Sequence, residues 1–354
     1  MHGLDTAWRP FVLVWELTQA CELSCDHCRA DAQPDRHPDE LTTAEGKALL
    51  EDVREFGEGQ LVVFSGGDPC KREDLTELVE YGTDIGLTVT LTPSGTSELT
   101  ADVVEELTDA GLKRLALSVD GASAAAHDDF RGEDGSFEET RAAARAAREA
   151  GLPLQINTTV CRRTVEDLPE IRDLVADLGA VLWSVFFLVP VGRGRVLEPI
   201  SPERSEEVMA WLADVEAGAD FAVKTTEAPH YRRVVQQEQA DDNSSAGRGG
   251  ILAGDGFAFV SHVGDVYPSG FLPESAGNVR ETDVVEVYRN SELFETLRDR
   301  DALGGKCGAC PFRHVCGGSR SRAYAYTGDP TASDPLCPYV PPDYDGPLPD
   351  RTLS

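Results

Sequence analysis

Over its first two hundred residues the chain alternates short apolar runs with longer amphipathic stretches, a rhythm that few folds accept. Residues 11–17, 61–64, 88–92, 114–119, 154–160 and 181–189 read as strands. Each is short and rich in Val, Leu, Ile or Phe, the composition of strands buried on both faces. Residues 43–56, 73–85, 100–110, 137–150 and 165–178 read as helices that end near Gly57, Gly86, Gly111, Gly151 and Gly179. Six successive β–α units predict a parallel sheet wrapped by helices, an α/β fold. Beyond them, residues 201–216 read as a helix with Pro202 in its first turn. Residues 236–250 turn polar and then glycine-rich, the composition of a mobile linker or lid. Residues 257–267 read as a hairpin turning at Val263-Gly264-Asp265, and 284–299 as one helix. The proline- and aspartate-rich tail 341–354 is expected to be loosely held.

Charge narrows the range of partners. The 354 residues include 63 acidic and 32 basic side chains, a net charge of −31, with the acids spread along the whole chain. That pattern suits a surface adapted to high salt, where screening weakens repulsion. It disfavours binding to nucleic acid and to anionic membranes. No run of about 18 apolar residues is present, so no membrane insertion is expected. The first ten residues lack the charged start and apolar run of a secretion signal, and the expectation is a cytoplasmic protein.

Seven of the nine cysteines fall in two clusters, one near each end. Secreted disulfide scaffolds are shorter and denser in cysteine, so the clustering points to metal. From Gly304 onward glycine, cysteine and proline dominate, which predicts irregular structure pinned by a metal group. Cys21-x3-Cys25-x2-Cys28 follows directly on the first strand, and loops leaving the C-terminal ends of parallel strands carry active sites. Three thiolates ligate three irons of a four-iron cubane and leave one iron open to an amino-acid-like chelator. The alternative is zinc completed by His27, although zinc normally takes four protein ligands with paired cysteine spacing. Cys307-x2-Cys310-x5-Cys316-x20-Cys337 closes either a complete [4Fe–4S] site or a tetrahedral zinc site, and spacing alone does not separate the two.

The first cysteine motif resembles the signature of the radical S-adenosylmethionine (radical SAM) superfamily. The resemblance implies a partial (β/α)6 TIM-type barrel followed by a small irregular α+β iron–sulfur extension. It also implies a cluster that cleaves S-adenosylmethionine to a 5′-deoxyadenosyl radical, which takes a hydrogen from substrate. Ser65-Gly66-Gly67-Asp68-Pro69 resembles the family's Gly-Gly-Glu segment, which binds the methionine amino group; Asp68 is one methylene shorter than the usual Glu. Ser118 and Asp120, at the end of the fourth strand, resemble the family's ribose- and carboxylate-binding strand end. Asn157 and Thr159 on the fifth strand, Ser94 after the third, and Arg131 are further candidates for the cofactor pocket.

The second cluster resembles a C-terminal SPASM extension, with departures. A full extension holds two auxiliary clusters, yet Ser269 and Arg320 stand where cysteines belong. The expectation is therefore one auxiliary [4Fe–4S] cluster, fully ligated, and two clusters in all. Cys316-Gly317-Gly318-Ser319-Arg320-Ser321-Arg322 and Asp334-Pro335-Leu336-Cys337 are similar to the C-termini of radical SAM enzymes of alternative haem and haem d1 biosynthesis. Those enzymes remove or oxidise propionate-type side chains of iron tetrapyrroles. A peptide-modifying maturase is the alternative, and a low-potential donor such as ferredoxin or flavodoxin is implied by either. Basic residues gain weight in so acidic a chain. Arg193, Arg195, Lys224, Arg232 and Arg233 are candidate clamps for substrate carboxylates. His230 and Tyr231 are candidates to ligate iron, move a proton or quench a radical. Cys70 and Cys161 read as small buried hydrophobes. The expected divisions are 8–200 for the barrel, 201–255 for a bridging segment, 256–340 for the auxiliary-cluster domain and 341–354 for the tail.

Overall fold

In a computed structural model, which describes residues 5–238 and 251–352, the six expected strands lie parallel and in chain order. They are β1 (Val12–Glu16), β2 (Leu61–Ser65), β3 (Thr88–Leu91), β4 (Leu115–Ser118), β5 (Leu154–Val160) and β6 (Leu182–Phe187). The connections carry α1 (Thr43–Arg54), α2 (Leu75–Asp84), α3 (Ala101–Asp109), α4 (Ala124–Arg131), α5 (Ser136–Glu149) and α6 (Leu168–Asp177). Local chemistry sets their ends. Thr42 caps α1 by accepting from the Glu45 N–H while the Glu45 side chain reaches back, a capping box. The sequence reading missed α4, whose Ala-Ala-Ala-His-Asp-Asp-Phe-Arg run has no apolar stripe. Ser123 starts it and the left-handed Gly132 ends it.

The sheet continues past residue 200. After α7 (Pro202–Gly218), β7 (Ala222–Thr226) adds a seventh parallel strand beside β6, and α8 (Tyr231–Glu238) follows. Most of the expected linker at 236–250 lies outside the described residues. The chain returns through β8 (Leu252–Ala253) and β9 (Gly256–Val260), and β9 pairs in parallel with β1, Val12 opposite Phe257. The predicted hairpin is there: β10 (Asp265–Tyr267) turns back on β9, and β11 (Gly277–Asn278) follows. The expected helix at 284–299 is two helices, α9 (Val284–Asn290) and α10 (Glu292–Arg298), because the Ser291 hydroxyl accepts from the Phe294 N–H and restarts the ladder. Short α11 (Gly305–Gly308) and α12 (Arg320–Thr327) complete the C-terminal region. Among the described residues no helix is long and apolar enough to cross a membrane.

Alternation along the strands separates two environments. Leu13, Trp15, Phe64, Leu117, Ile156, Trp183 and Val223 face the helices and form one core with them. Trp183 anchors its far end, edge-on to Trp211 at 6.0 Å and to Phe221 at 6.3 Å, with its indole N–H donating to Thr158 Oγ1 at 2.9 Å. The opposite face is polar and looks into the barrel, where Ser118, Asn157, Ser184 and Lys224 lie in one register row across β4 to β7. Trp183→Ala is expected to cost about 3–5 kcal/mol, read as a lower urea midpoint with an unchanged slope.

Candidate active site

The cysteine loop leaves β1 and lies against the turn after β2. The Gly67 N–H donates to the Thr18 carbonyl at 2.8 Å, and the Asp68 N–H to that of Ala20 at 2.6 Å. A Cβ on Gly67 would sit 2.3 Å from the Ala20 oxygen, and one on Gly66 2.5 Å from the Thr18 oxygen, so only glycine admits this approach. Cys21 and Cys25 are buried, Cys28 half-buried, and the three cluster with Leu23 and Ala32. Cys21 Sγ lies 3.2 Å from Ser94 Oγ, and the N–H groups of Leu23 and Ala32 point at the sulfurs of Cys21 and Cys28 from 3.4 and 3.5 Å. Burial pushes the Cys21 and Cys25 thiols up, opposed by the Ser94 hydroxyl at Cys21 and by Arg131 at Cys25. Such thiols ionise when a cation takes the proton's place.

Arg131, the last residue of α4, is buried beside these cysteines. Its Nη2 donates to the Ser94 carbonyl at 3.1 Å, Nη1 lies 3.5 Å from Asp120 Oδ2, and Nε has no partner among the described groups. Burial opposes its charge, but Cys25, Asp120, Cys21 and Cys28 hold its pKa up. Burial likewise opposes ionisation of Asp120, yet His27, Arg131 and His127 keep its carboxyl below the usual range, and its Oδ1 accepts from the Thr159 N–H at 2.7 Å. His27 stacks on Phe130 with ring centroids 4.7 Å apart, and burial holds it down to about 4, so it is neutral at pH 7. The Asp68 carboxylate is fully enclosed. It accepts from the N–H groups of Cys70 and Ser94 at 3.2 and 3.4 Å and from Thr96 Oγ1 at 2.7 Å, bracing the turn after β3. Ser118 and Asn157 stand opposite each other in register, and Asn157 Oδ1 accepts from Gln155 at 2.7 Å.

The second cysteine group lines one pocket. Cys307, Cys310, Cys316 and Cys337 share it with Arg233 and Lys306. The N–H groups of Gly318 and Asp334 point at the sulfurs of Cys316 and Cys307, both from 3.4 Å. Arg320 Nη2 reaches Cys307 Sγ at 3.8 Å and Arg233 Nη2 reaches Cys337 Sγ at 3.9 Å. Four thiols ringed by N–H donors and cations fit an anionic cluster. Arg320, found in place of a cysteine, thus supports this site. Ser269, at the other lost cysteine position, donates to Glu227, as do Ser319 and Ser321. Among the described residues no three His, Cys, Asp or Glu side chains converge on a single-ion position. A lone zinc draws thiolates to about 2.3 Å from one point, whereas a cubane spreads them over separate corners.

The expected substrate residues scatter. Arg193 is spent on the cysteine loop: Nε donates to the Cys25 carbonyl at 3.0 Å, Nη1 to that of Ala32 at 3.1 Å, and its backbone N–H to that of Cys28 at 2.9 Å. Arg233 grips Glu206 with two bonds of 2.7 and 2.6 Å beside the second pocket. Arg232 donates to the Val315 and Ile251 carbonyls at 3.4 and 3.5 Å. Arg195 is exposed, and the Tyr231 hydroxyl donates to Glu216 on α7 at 2.7 Å. His230 is enclosed with its Nδ1 4.0 Å from Asp334, and burial holds it neutral, down to about 4. Cys70 packs on the core, and Cys161 is buried with Phe130, Leu188 and Leu197. Lys224 faces the barrel interior. Sequence reasoning missed its interior neighbours Arg114, Gln155 and Ser184; a polar residue at every second place of an apolar strand was the available signal.

The Radical SAM superfamily model matches residues 15–175. Over 341 residues the chain is 43% identical to the AdoMet-dependent heme synthase of Methanosarcina barkeri, an alignment spanning 94% of this chain and 97% of that one. The chain belongs to the radical SAM superfamily. The AdoMet-dependent heme synthase of Oleidesulfovibrio alaskensis is 40% identical, over 93% of this radical SAM chain and 87% of its own length. Among solved structures, SuiB of Streptococcus suis bound to S-adenosylmethionine superposes with a TM-score of 0.74 at 18% identity, covering 94% of this chain and 78% of that one. The parallel sheet is thus the partial barrel of radical SAM enzymes, which use a [4Fe–4S] cluster and S-adenosylmethionine.

Arg193→Met is expected to release the cysteine loop. Bound iron should fall from about eight toward about four per chain by colorimetric assay, with Arg193→Lys intermediate. A pH dependence follows from His127, whose Nδ1 accepts from the Asp120 N–H at 3.2 Å. Burial and Arg131 hold its pKa down to about 4, against 6.5 for a free histidine. Between those values the unfolded chain binds a proton that the native chain refuses. Its contribution is complete above pH 6.5 and is lost as the pH falls toward about 4, at up to roughly 1.4 kcal/mol per pH unit. Urea unfolding of the His127→Asn variant between pH 7.5 and 5, taken as about the accessible range, should show a shallower loss than the wild type.

Proposed function

We propose that this enzyme modifies carboxylated side chains of an iron tetrapyrrole in haem-type biosynthesis. The observation that carries the reading is the joint presence of both cysteine sites in a chain 43% identical, nearly end to end, to an AdoMet-dependent heme synthase. Cys21, Cys25 and Cys28 hold the first cluster, and Cys307, Cys310, Cys316 and Cys337 a closed auxiliary one. When bound, the first cluster and S-adenosylmethionine supply an electron and a 5′-deoxyadenosyl radical able to take a hydrogen from substrate.

The chain's own groups do the holding and orienting. Arg131 offers its unpartnered Nε to a carboxylate beside the cysteines. Asp120 is kept ionised and, with Ser118 and Asn157, presents acceptors and a hydroxyl to a ribose or an ammonium group. Gly66 and Gly67 let the cysteine loop seat, and Asp68 fixes the Ser94 turn that touches Cys21. At the second site four thiols leave no corner for substrate. Arg233, Lys306 and Arg320 favour the more negative, reduced state, which suits electron transfer. A ferredoxin or flavodoxin is the donor this chemistry asks for. His230, enclosed and away from the interior, receives no catalytic role.

The test is anaerobic reconstitution with iron, sulfide, reductant and S-adenosylmethionine, followed by chromatography for 5′-deoxyadenosine. Iron coproporphyrin should stimulate its release and lose mass as carboxyl groups leave or are oxidised, whereas unrelated peptides should not. Cys25→Ala should abolish release, and Cys316→Ala should lower product while sparing the first cluster. An unaltered porphyrin, or stimulation by a peptide alone, would overturn the tetrapyrrole reading.

A further inference from the structure

In so acidic a chain, positive charge without an acidic partner calls for explanation. Val223 is buried against the helices, so its neighbour Lys224 faces the barrel interior. Lys224 stands opposite Ser184, Ser184 opposite Asn157, and Asn157 opposite Ser118, one row across four strands. A polar chain rises to that row from below: Arg114 Nη1 donates to Gln155 Oε1 at 3.3 Å, and Gln155 Nε2 to Asn157 Oδ1 at 2.7 Å. The charged groups that bear on Lys224 are Arg114 and Arg232, both cations, and with the protein packed around its stem they press its pKa down although the side chain keeps solvent contact. Among the described residues neither Arg114 nor Lys224 has an ion-pair partner, although the chain holds 63 acids against 32 bases. Lys224 is nevertheless exposed to solvent, so its ammonium is accessible.

We propose that the barrel interior between β4 and β7 is a carboxylate receptor in which Lys224 and Arg114 grip one acid side chain of the substrate, with Ser184 and Gln155 as neighbouring donors. The assignment rests on the tetrapyrrole reading and deepens it. Its depth is the useful part. Ser118 marks the Lys224 row and Asp120 lies two residues further along the same segment, roughly 7 Å at extended spacing. An acid anchored at Lys224 therefore holds its adjoining methylenes near the level of Asp120 and the cysteine loop. Arg114, four residues below Ser118, lies roughly 13 Å deeper along the strand direction and reaches up through Gln155. Two interior cations within electrostatic reach and without an acid are unfavourable when empty, and one incoming carboxylate relieves the repulsion.

The experiment titrates reconstituted holoenzyme with coproporphyrin III and with its tetramethyl ester, following porphyrin absorbance and fluorescence. Wild type should bind the acid at least tenfold more tightly than the ester. Lys224→Met and Arg114→Gln should each weaken acid binding by about ten- to a hundredfold, the loss of one charged hydrogen bond, and leave ester binding unchanged. Lys224→Arg should restore most of the affinity, and circular dichroism melts should match the wild type. If wild type binds the acid tightly and both variants match it, the receptor is refuted while the tetrapyrrole reading stands. If wild type binds neither porphyrin, that reading fails and the receptor assignment falls with it.

Discussion

The close seating of the cysteine loop between two backbone surfaces is the constraint on which the site depends. On one side the turn after β2 meets it at Gly66 and Gly67. On the other, Gly192 after β6 comes so near that an added Cβ would lie 2.5 Å from the Cys28 and Arg29 carbonyl oxygens. Arg193 then ties down the carbonyls of Cys25 and Ala32. Side chains would hold the two walls apart, so backbone hydrogen bonds fix the loop instead. Three cysteines seven residues apart end to end thereby gain one fixed geometry.

Electrostatic asymmetry organises the interior around that loop. The chain is strongly acidic as a whole, yet each cysteine site has buried cations beside it, set against the nearby carboxylates of Asp68 and Asp120 at the first and Asp334 at the second. Arg131 faces the first site; Arg233, Lys306 and Arg320 face the second. His27, His127 and His230 are each held down to about 4 by burial and add no charge at neutral pH. The buried Arg322–Asp334 pair, with contacts of 3.3 and 3.2 Å, closes the segment behind Cys337. Most acids lie at the surface, where water screens them, and buried positive charge is placed where the cysteine sulfurs would otherwise be unopposed.

Much of this was readable from the chain itself. Strands buried on both faces announce themselves as apolar runs, and β5 was read to the residue. Cysteine spacing separated the two sites. What escaped has physical reasons. The α4 helix is held by capping at its ends and not by an apolar stripe, and β7 mixes Lys and Thr because one of its faces lines the interior. The pairing of β9 with β1 is a long-range fact that no local pattern encodes. Arginine was the least legible residue. A guanidinium serves carbonyls, sulfur or carboxylates equally well, so Arg193 and Arg233 gave the same signal in sequence as a substrate clamp would.

The parallel pairing of β9 with β1 has a consequence for how the molecule comes into being. The strand that launches the cysteine loop is completed on one edge by a segment from the last third of the chain, and His262 reaches Glu16 across 246 positions of sequence. Synthesis must pass Val260 before that edge is satisfied. Contacts of such high order form late, so the edge of β1 beside the cysteine loop stays open until a strand from the last third of the chain has been made and docked.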